Sequence, residues 1–142
     1  MIHDSFPLPD VAWPDGAGFW DGAAEGELRI PRCAACSSWV WYPKPECPAC
    51  GGTEMPWTAT SGRATLYSWA VVHHVFLPAF ADVVPYVTAL AALDDDPAVR
   101  VATRVLADPD DLVADMPLQV VFRPLRFSTV DGEVTAPMFE PA

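Results

Sequence analysis

The sequence predicts a mainly β chain: an N-terminal helix and a four-cysteine ribbon, followed by a five-stranded barrel of the OB type. Three observations carry this reading. Val and Pro each occur 16 times, which favours short strands and turns over long helices. The four cysteines form two C-x2-C pairs with ten residues between them, Cys33–Cys36 and Cys47–Cys50. Beyond Trp57, about five strand-like runs follow one another, the strand count of a small OB-like barrel. The 142 residues fit one domain or two small modules. They divide into an arm (1–16), a helix and ribbon (17–57) and a barrel (58–142).

Each element has a local reason. Pro7, Pro9, Pro14 and Gly16 break any periodicity and leave residues 1–16 an extended arm. Gly18–Gly26 reads as a short helix with Phe19, Trp20 and Ala23 or Ala24 on one face. Glu27–Arg32 and Val40–Tyr42 read as short strands flanking the first cysteine pair. Ser61-Gly62-Arg63 is a turn feeding a long strand, Ala64–Val75. Pro85–Leu93 is the next strand, ended by Asp94-Asp95-Asp96-Pro97. In Val99–Leu106, Val99, Val101, Thr103 and Val105 alternate with Arg100, Ala102 and Arg104. Asp108 is placed to cap a short helical turn with Pro109 at its first position. Leu118–Arg123 is a further strand. Phe127–Val130 and Val134–Met138 flank Asp131-Gly132, a hairpin signal.

Charge excludes several functions. Eight basic residues stand against 19 acidic ones, a net charge of −11, and Lys44 is the only lysine. Nucleic-acid binding relies on Lys and Arg to release counterions, and an anionic membrane repels an acidic chain. No run reaches the ~20 apolar residues of a membrane helix. Met1-Ile2-His3-Asp4-Ser5 has neither the basic nor the apolar region of a secretory signal. A cytoplasmic protein with no nucleic-acid or membrane partner is expected.

In a reducing compartment disulfides are rare, whereas two C-x2-C knuckles supply four thiolates for tetrahedral Zn2+. Cys33, Cys36, Cys47 and Cys50 are therefore the expected ligands of one zinc ion per chain. A four-thiolate site is closed and does not itself catalyse. Iron in the same cage would carry electrons, and Cys47-Pro48-Ala49-Cys50-Gly51 looks like a rubredoxin knuckle. The cage's position between other segments favours zinc over that alternative. Catalytic signals are weak. His73 and His74 are adjacent in a predicted strand and would point to opposite faces. No Gly-x-Ser-x-Gly or phosphate-cradling glycine loop occurs.

Five of the six tryptophans lie in the first 57 residues. Trp39 and Trp41 alternate with Val40 and would share a strand face. A small ribbon has little interior for five indoles, and tryptophan is enriched in interface hot spots. Phe19, Trp20, Trp39 and Trp41 are therefore the candidate partner contacts. A competing use of aromatics is a single-stranded nucleic-acid platform of Trp57, Tyr67 and Trp69. The missing basic groove weighs against it.

The order FWDG…GELRIPRCAACSSWVWYPKPECPAC, Ser61-Gly62-Arg63, VPYVTALAALDDDPAVRVATRV and MPLQVVFRPL resembles a known family over Phe19 to Pro141. This is the zinc-ribbon plus OB-fold family called domain of unknown function thirty-five. The resemblance implies a non-catalytic accessory subunit of an acyl-CoA-processing complex. Its partner would be a thiolase-like aldolase or thiolase, including those that shorten steroid side chains, and in some cases a hot-dog-fold hydratase. A CoA thioester is the implied ligand, with Arg32, Lys44 and Arg63 as candidate phosphate contacts. Arg32 and Lys44 have a simpler use, to offset the charge of four thiolates. The chain departs from the family pattern at Ser37, where Gly is common, and at Tyr42-Pro43-Lys44, where Pro-Pro-Arg is common.

Overall fold

The computed structural model describes residues 2–142. One helix, α1 (Ala17–Ala24), precedes a two-stranded antiparallel sheet of β1 (Arg29–Pro31) and β2 (Trp57–Ala59). The cysteine-bearing segment loops out between these two strands. Five strands then close a barrel: β3 (Arg63–Val72), β4 (Tyr86–Leu93), β5 (Arg100–Val105), β6 (Pro117–Leu125) and β7 (Val134–Pro141), in the order β3-β4-β5-β7-β6. No helix among the described residues is long and apolar enough to cross a membrane.

Alternation builds the barrel core. Val87, Ala89, Ala91 and Leu93 of β4 and Val101 and Val105 of β5 point inward and are buried. Leu66, Leu118 and Phe139 complete the interior at 0–1% exposure. Closure needs β3 to bend. A register shift between Leu66 and Ser68 supplies the bend, leaving Tyr67 as an extra residue. The first part of β3 then pairs with both β6 (Ala64 with Leu118) and β4 (Ala64 with Leu93), while the rest pairs with β4 alone. This is the use of a bulge at a barrel rim. The remaining seam is parallel and short, with Val105 opposite Phe139.

Turn chemistry follows the sequence closely at two places. Asp108 accepts a 2.9 Å bond from the Asp110 N–H and caps the turn Pro109–Asp111. Asp95 accepts from the Ser61 backbone N–H at 3.0 Å and from its hydroxyl at 2.8 Å. The acidic turn after β4 thereby fixes the Ser61-Gly62-Arg63 turn before β3.

Four local expectations need correction. Val40–Tyr42 is not a strand; only Trp39 makes an isolated bridge, to Arg32. Trp39 and Trp41 therefore do not share a strand face. β3 ends at Val72, so His73 and His74 sit exposed in the following loop. Phe127–Val130 is loop rather than strand, because Phe127 turns inward to pack against Leu8 and Ala79. That small cluster also anchors the N-terminal arm, which folds through two turns (Phe6 N–H to His3 O, Leu8 N–H to Ser5 O) rather than running extended.

The ribbon is joined to the barrel by apolar packing. Leu28 and Ile30 belong to the same buried cluster as Leu66 and Phe139. Helix α1 lies over β1, β2 and β7, and its two glycines explain how it gets so close. A Cβ on Gly18 would come within 2.2 Å of the Trp57 indole, and one on Gly22 within 2.8 Å of the Arg29 side chain. These positions are four apart, so both face the same way. The helix ends in a Schellman motif: the Gly26 N–H bonds Ala23 O, the Glu27 N–H bonds Gly22 O, and Gly26 has φ +77. Gly18→Ala should improve helix propensity yet destabilise the fold by about 1–3 kcal/mol through overpacking. A lowered denaturation midpoint with altered Trp57 fluorescence is expected, and an unchanged or raised midpoint would contradict this packing.

Candidate functional site

The two cysteine pairs are brought together by two knuckles of the same design. In the first, the Ser37 N–H bonds Cys33 O and the Cys33 N–H bonds Ser38 O. In the second, the Gly51 N–H bonds Cys47 O and the Cys47 N–H bonds Gly52 O. The residue after each C-x2-C is left-handed: φ is +64 at Ser37 and +77 at Gly51. Glycine takes this conformation freely, whereas other residues pay a steric penalty. Ser37 thus occupies a position that suits glycine, which accounts for the glycine common there in the family; nothing in the structure explains the serine.

The four sulfurs lie within 4.8 Å of one another. Cys33 Sγ is 3.6 Å from Cys50 Sγ, and Cys36 Sγ is 3.6 Å from Cys47 Sγ. Tetrahedral Zn–S bonds of about 2.3 Å place sulfurs about 3.8 Å apart, so the spacing fits a metal. It does not fit disulfides, and all four thiols are free. Cys33 and Cys47 are buried while Cys36 and Cys50 are exposed. Gly52 closes the cage from one side: its N–H lies 3.4 Å from Cys50 Sγ, and a Cβ there would stand 3.1 Å from Cys33 Sγ. Zinc held by these four would serve structure, since no coordination position stays open.

Without a metal the thiols are electrostatically frustrated. Ser38, through its hydroxyl and then its N–H, lowers the Cys36 thiol to about 6. The Gly52 N–H pulls the Cys50 thiol down, but the neighbouring Cys36, Cys33 and Cys47 outweigh it and push that thiol up to about 12. A dication removes the conflict by neutralising all four thiolates, and its binding expels their protons. Protons therefore compete with the metal, and affinity falls as pH falls. Acidification should release the metal and the near-ultraviolet signal of the ribbon tryptophans together, read with a zinc-sensitive dye. A complete release that left that signal intact would contradict the structural role.

The basic candidates are scattered. The Arg32 guanidinium lies 4.6 Å over the Trp39 ring and donates to Ser37 O at 2.9 Å, bracing the first knuckle. Lys44 is exposed and borders a hollow with Pro14, Asp15 and Trp57. Arg63 is exposed at the start of β3, and its carbonyl accepts from the Asp94 N–H. The hollow that Lys44 borders is lined by neither Arg32 nor Arg63.

The aromatic candidates are more concentrated. A groove of about 510 Å3 is lined by Trp13, Phe19, Trp20, Trp41, Tyr42 and Trp57, among others. Phe19 packs edge-on to Trp20 at 5.0 Å and against Trp41 at 5.4 Å, and Trp41 against Tyr42 at 4.8 Å. The Trp41 indole N–H is the one buried side-chain polar group among the described residues without a partner. Trp39 lies apart, half-buried against the core and Arg32. Trp13, Tyr42 and Trp57 were not among the candidate partner contacts; Tyr42 is 59% exposed, and only the fold shows that all three reach the groove. The alternative stacking platform does not assemble. Trp57 is under α1, Trp69 packs on the barrel cluster, and the Arg100 guanidinium covers Tyr67 at 3.9 Å.

Residues 20–56 match the ChsH2 rubredoxin-like zinc ribbon domain, and residues 57–123 match the ChsH2 C-terminal OB-fold domain. A DUF35 domain-containing scaffold protein of Methanocaldococcus jannaschii is 32% identical over 107 residues, covering 73% of each chain. A probable enoyl-CoA hydratase alpha subunit of Thermomonospora curvata is 35% identical over 129 residues, 90% of this chain. The present chain spans only 38% of that longer relative. A chain of the solved Ltp2-ChsH2(DUF35) aldolase superposes with a TM-score of 0.76 at 35% identity, covering 94% of this chain and 98% of that one. A paired-knuckle ribbon, a closed five-stranded barrel and these matches along its length establish that the chain belongs to the ChsH2/DUF35 family of zinc-ribbon plus OB-fold proteins.

Proposed function

We propose that this chain is a non-catalytic accessory subunit of an acyl-CoA-processing complex, and that it docks a thiolase-like aldolase. The observation that carries this reading is the near full-length likeness to a chain of the Ltp2-ChsH2(DUF35) aldolase. The site chemistry agrees with it. A closed four-thiolate centre organises a fold and leaves the bond-making to another subunit. The surface beside it is aromatic and concave. Exposed aromatic clusters of this kind mark recognition surfaces rather than ordinary solvated faces.

Phe19, Trp20 and Trp41 belong to that surface, and Trp20 is its best test. It is half-buried in the free chain and borders the groove without supporting the metal. Trp39, which braces Arg32 beside the first knuckle, would confound structure with docking. A CoA thioester is the ligand class this reading implies for the assembled complex.

The experiment is co-expression of this chain with a thiolase-like aldolase from the same genome, followed by affinity capture and mass analysis. A stoichiometric complex is expected. Trp20→Ala should lower recovery of the partner several-fold while the zinc content stays at one per chain. A chain that purifies alone and leaves the aldolase fully active without it would overturn the reading.

A further inference from the structure

Arg104 is the unusual cation of this molecule. It projects from the outer face of β5, opposite the inward Val101 and Val105. Its guanidinium lies 4.8 Å over the Tyr86 ring, and Tyr86 in turn stacks on Phe80. It is half-buried, and burial lowers its pKa from the ordinary arginine value. The chain has 19 acidic residues, yet none is ion-paired to Arg104; the paired arginines among the described residues are Arg29 and Arg126. Its side chain donates no hydrogen bond to protein among the described residues either. Stacking on Tyr86 occupies a face of the guanidinium and leaves the edge, which carries the five N–H donors, uncommitted.

The surroundings match such a cation to an anion. Arg104 borders a hollow of about 330 Å3 between helix α1 and the barrel, with Phe19, Trp20, Phe80, Tyr86 and Met138 among its walls. It also borders a second hollow of about 250 Å3 on the other side of Tyr86. Neither contains an Asp or Glu. In so acidic a chain, a space with one arginine and no carboxylate repels no anion. The larger hollow is at the lower end of the range of small-molecule sites. The larger hollow shares Phe19, Trp20 and Ala102 with the aromatic groove, so the two are neighbours across one pair of rings.

A guanidinium edge calls for phosphate or carboxylate oxygens, which it pairs in bidentate fashion. Aromatic walls call for a flat ring, which they hold by stacking as nucleobase sites do. A nucleotide carries both. We propose that Arg104 anchors a nucleotide-phosphate subsite on the outer face of β5, with the base lodged against Phe19, Trp20 and Tyr86. If the acyl-CoA reading above holds, on which the ligand's identity rests, the occupant is the nucleotide end of the CoA thioester. Arg104 then takes the place of Arg32, Lys44 and Arg63 as the phosphate contact, because none of those three borders these hollows.

The test titrates CoA, and separately AMP, into the zinc-loaded chain, by calorimetry and by quenching of tryptophan fluorescence. Arg104→Gln is expected to weaken binding at least about tenfold, with Arg104→Lys intermediate. Arg123→Gln, an exposed arginine on β6, should leave affinity unchanged. Melting temperatures of all variants separate folding from binding. Binding of AMP and CoA that depends on Arg104 supports the subsite. AMP binding through Arg104 without CoA binding supports the subsite and counts against the acyl-CoA reading. CoA binding indifferent to Arg104, or a wild-type chain that binds neither probe, overturns the subsite. In the former case the acyl-CoA reading stands. An Arg104→Gln chain that melts earlier but binds CoA normally shows the stacking on Tyr86 to be purely structural, which also overturns it.

Discussion

Four sulfurs spaced to hold one cation are the constraint on which the ribbon, the helix and the aromatic surface depend. The loop from Cys33 to Pro56 has little apolar substance of its own: its buried cluster is Cys33, Val40 and Cys47, with Met55 beside them. Segments this small need a staple, and a structural zinc supplies ~10–16 kcal/mol of apparent binding energy in small zinc modules. The staple acts at the ends of the loop as much as in it. It returns the chain so that Trp57–Ala59 can pair with Arg29–Pro31. That pairing seats Ile30 in the barrel cluster and presents the Trp57 indole to Gly18.

From there the consequences reach the surface. Helix α1 has no side-chain cap at its N-terminus and spans only two turns, a length that is marginal in isolation. It holds its place because Gly18 and Gly22 let it settle on Trp57 and Arg29. Phe19, packed against the core cluster, and Trp20 then form walls shared by the aromatic groove and the hollow around Arg104. Metal, ribbon, helix and groove form a chain of dependence in which each member has little stability without the one before. The barrel is different. Its core of alternating Val, Ala and Leu is continuous and closes on itself.

The parts legible in the sequence were those with a local signature. C-x2-C spacing announced the cage, and period-two alternation announced Val99–Leu106 with the correct inward face. Asp108-Pro109 announced its own turn. The parts that were not legible depend on contacts between distant residues. Val-Trp-Tyr at 40–42 has strand propensity, but with only one bridge available it cannot build a ladder. Glycines at 18 and 22 argue against a helix by propensity, and their value appears only when Trp57 and Arg29 are seen beneath them. Phe127 looked like strand because its burial comes from a loop that folds under Leu8 and Ala79. Arg104 looked like an ordinary solvated residue on the outer face of a strand. Nothing in its neighbours along the chain shows that Tyr86 lies under it or that the acids stay away.

The account predicts two levels of stability separated by one ion, and amide hydrogen exchange measured by mass spectrometry with and without zinc reads them directly. Zinc removal should strip protection from residues 29–59 and helix α1, while the interior strands β4 and β5 keep most of theirs. Uniform loss across the barrel, or protection in the ribbon that survives without the metal, would contradict the claim that the four-sulfur centre holds up the aromatic surface.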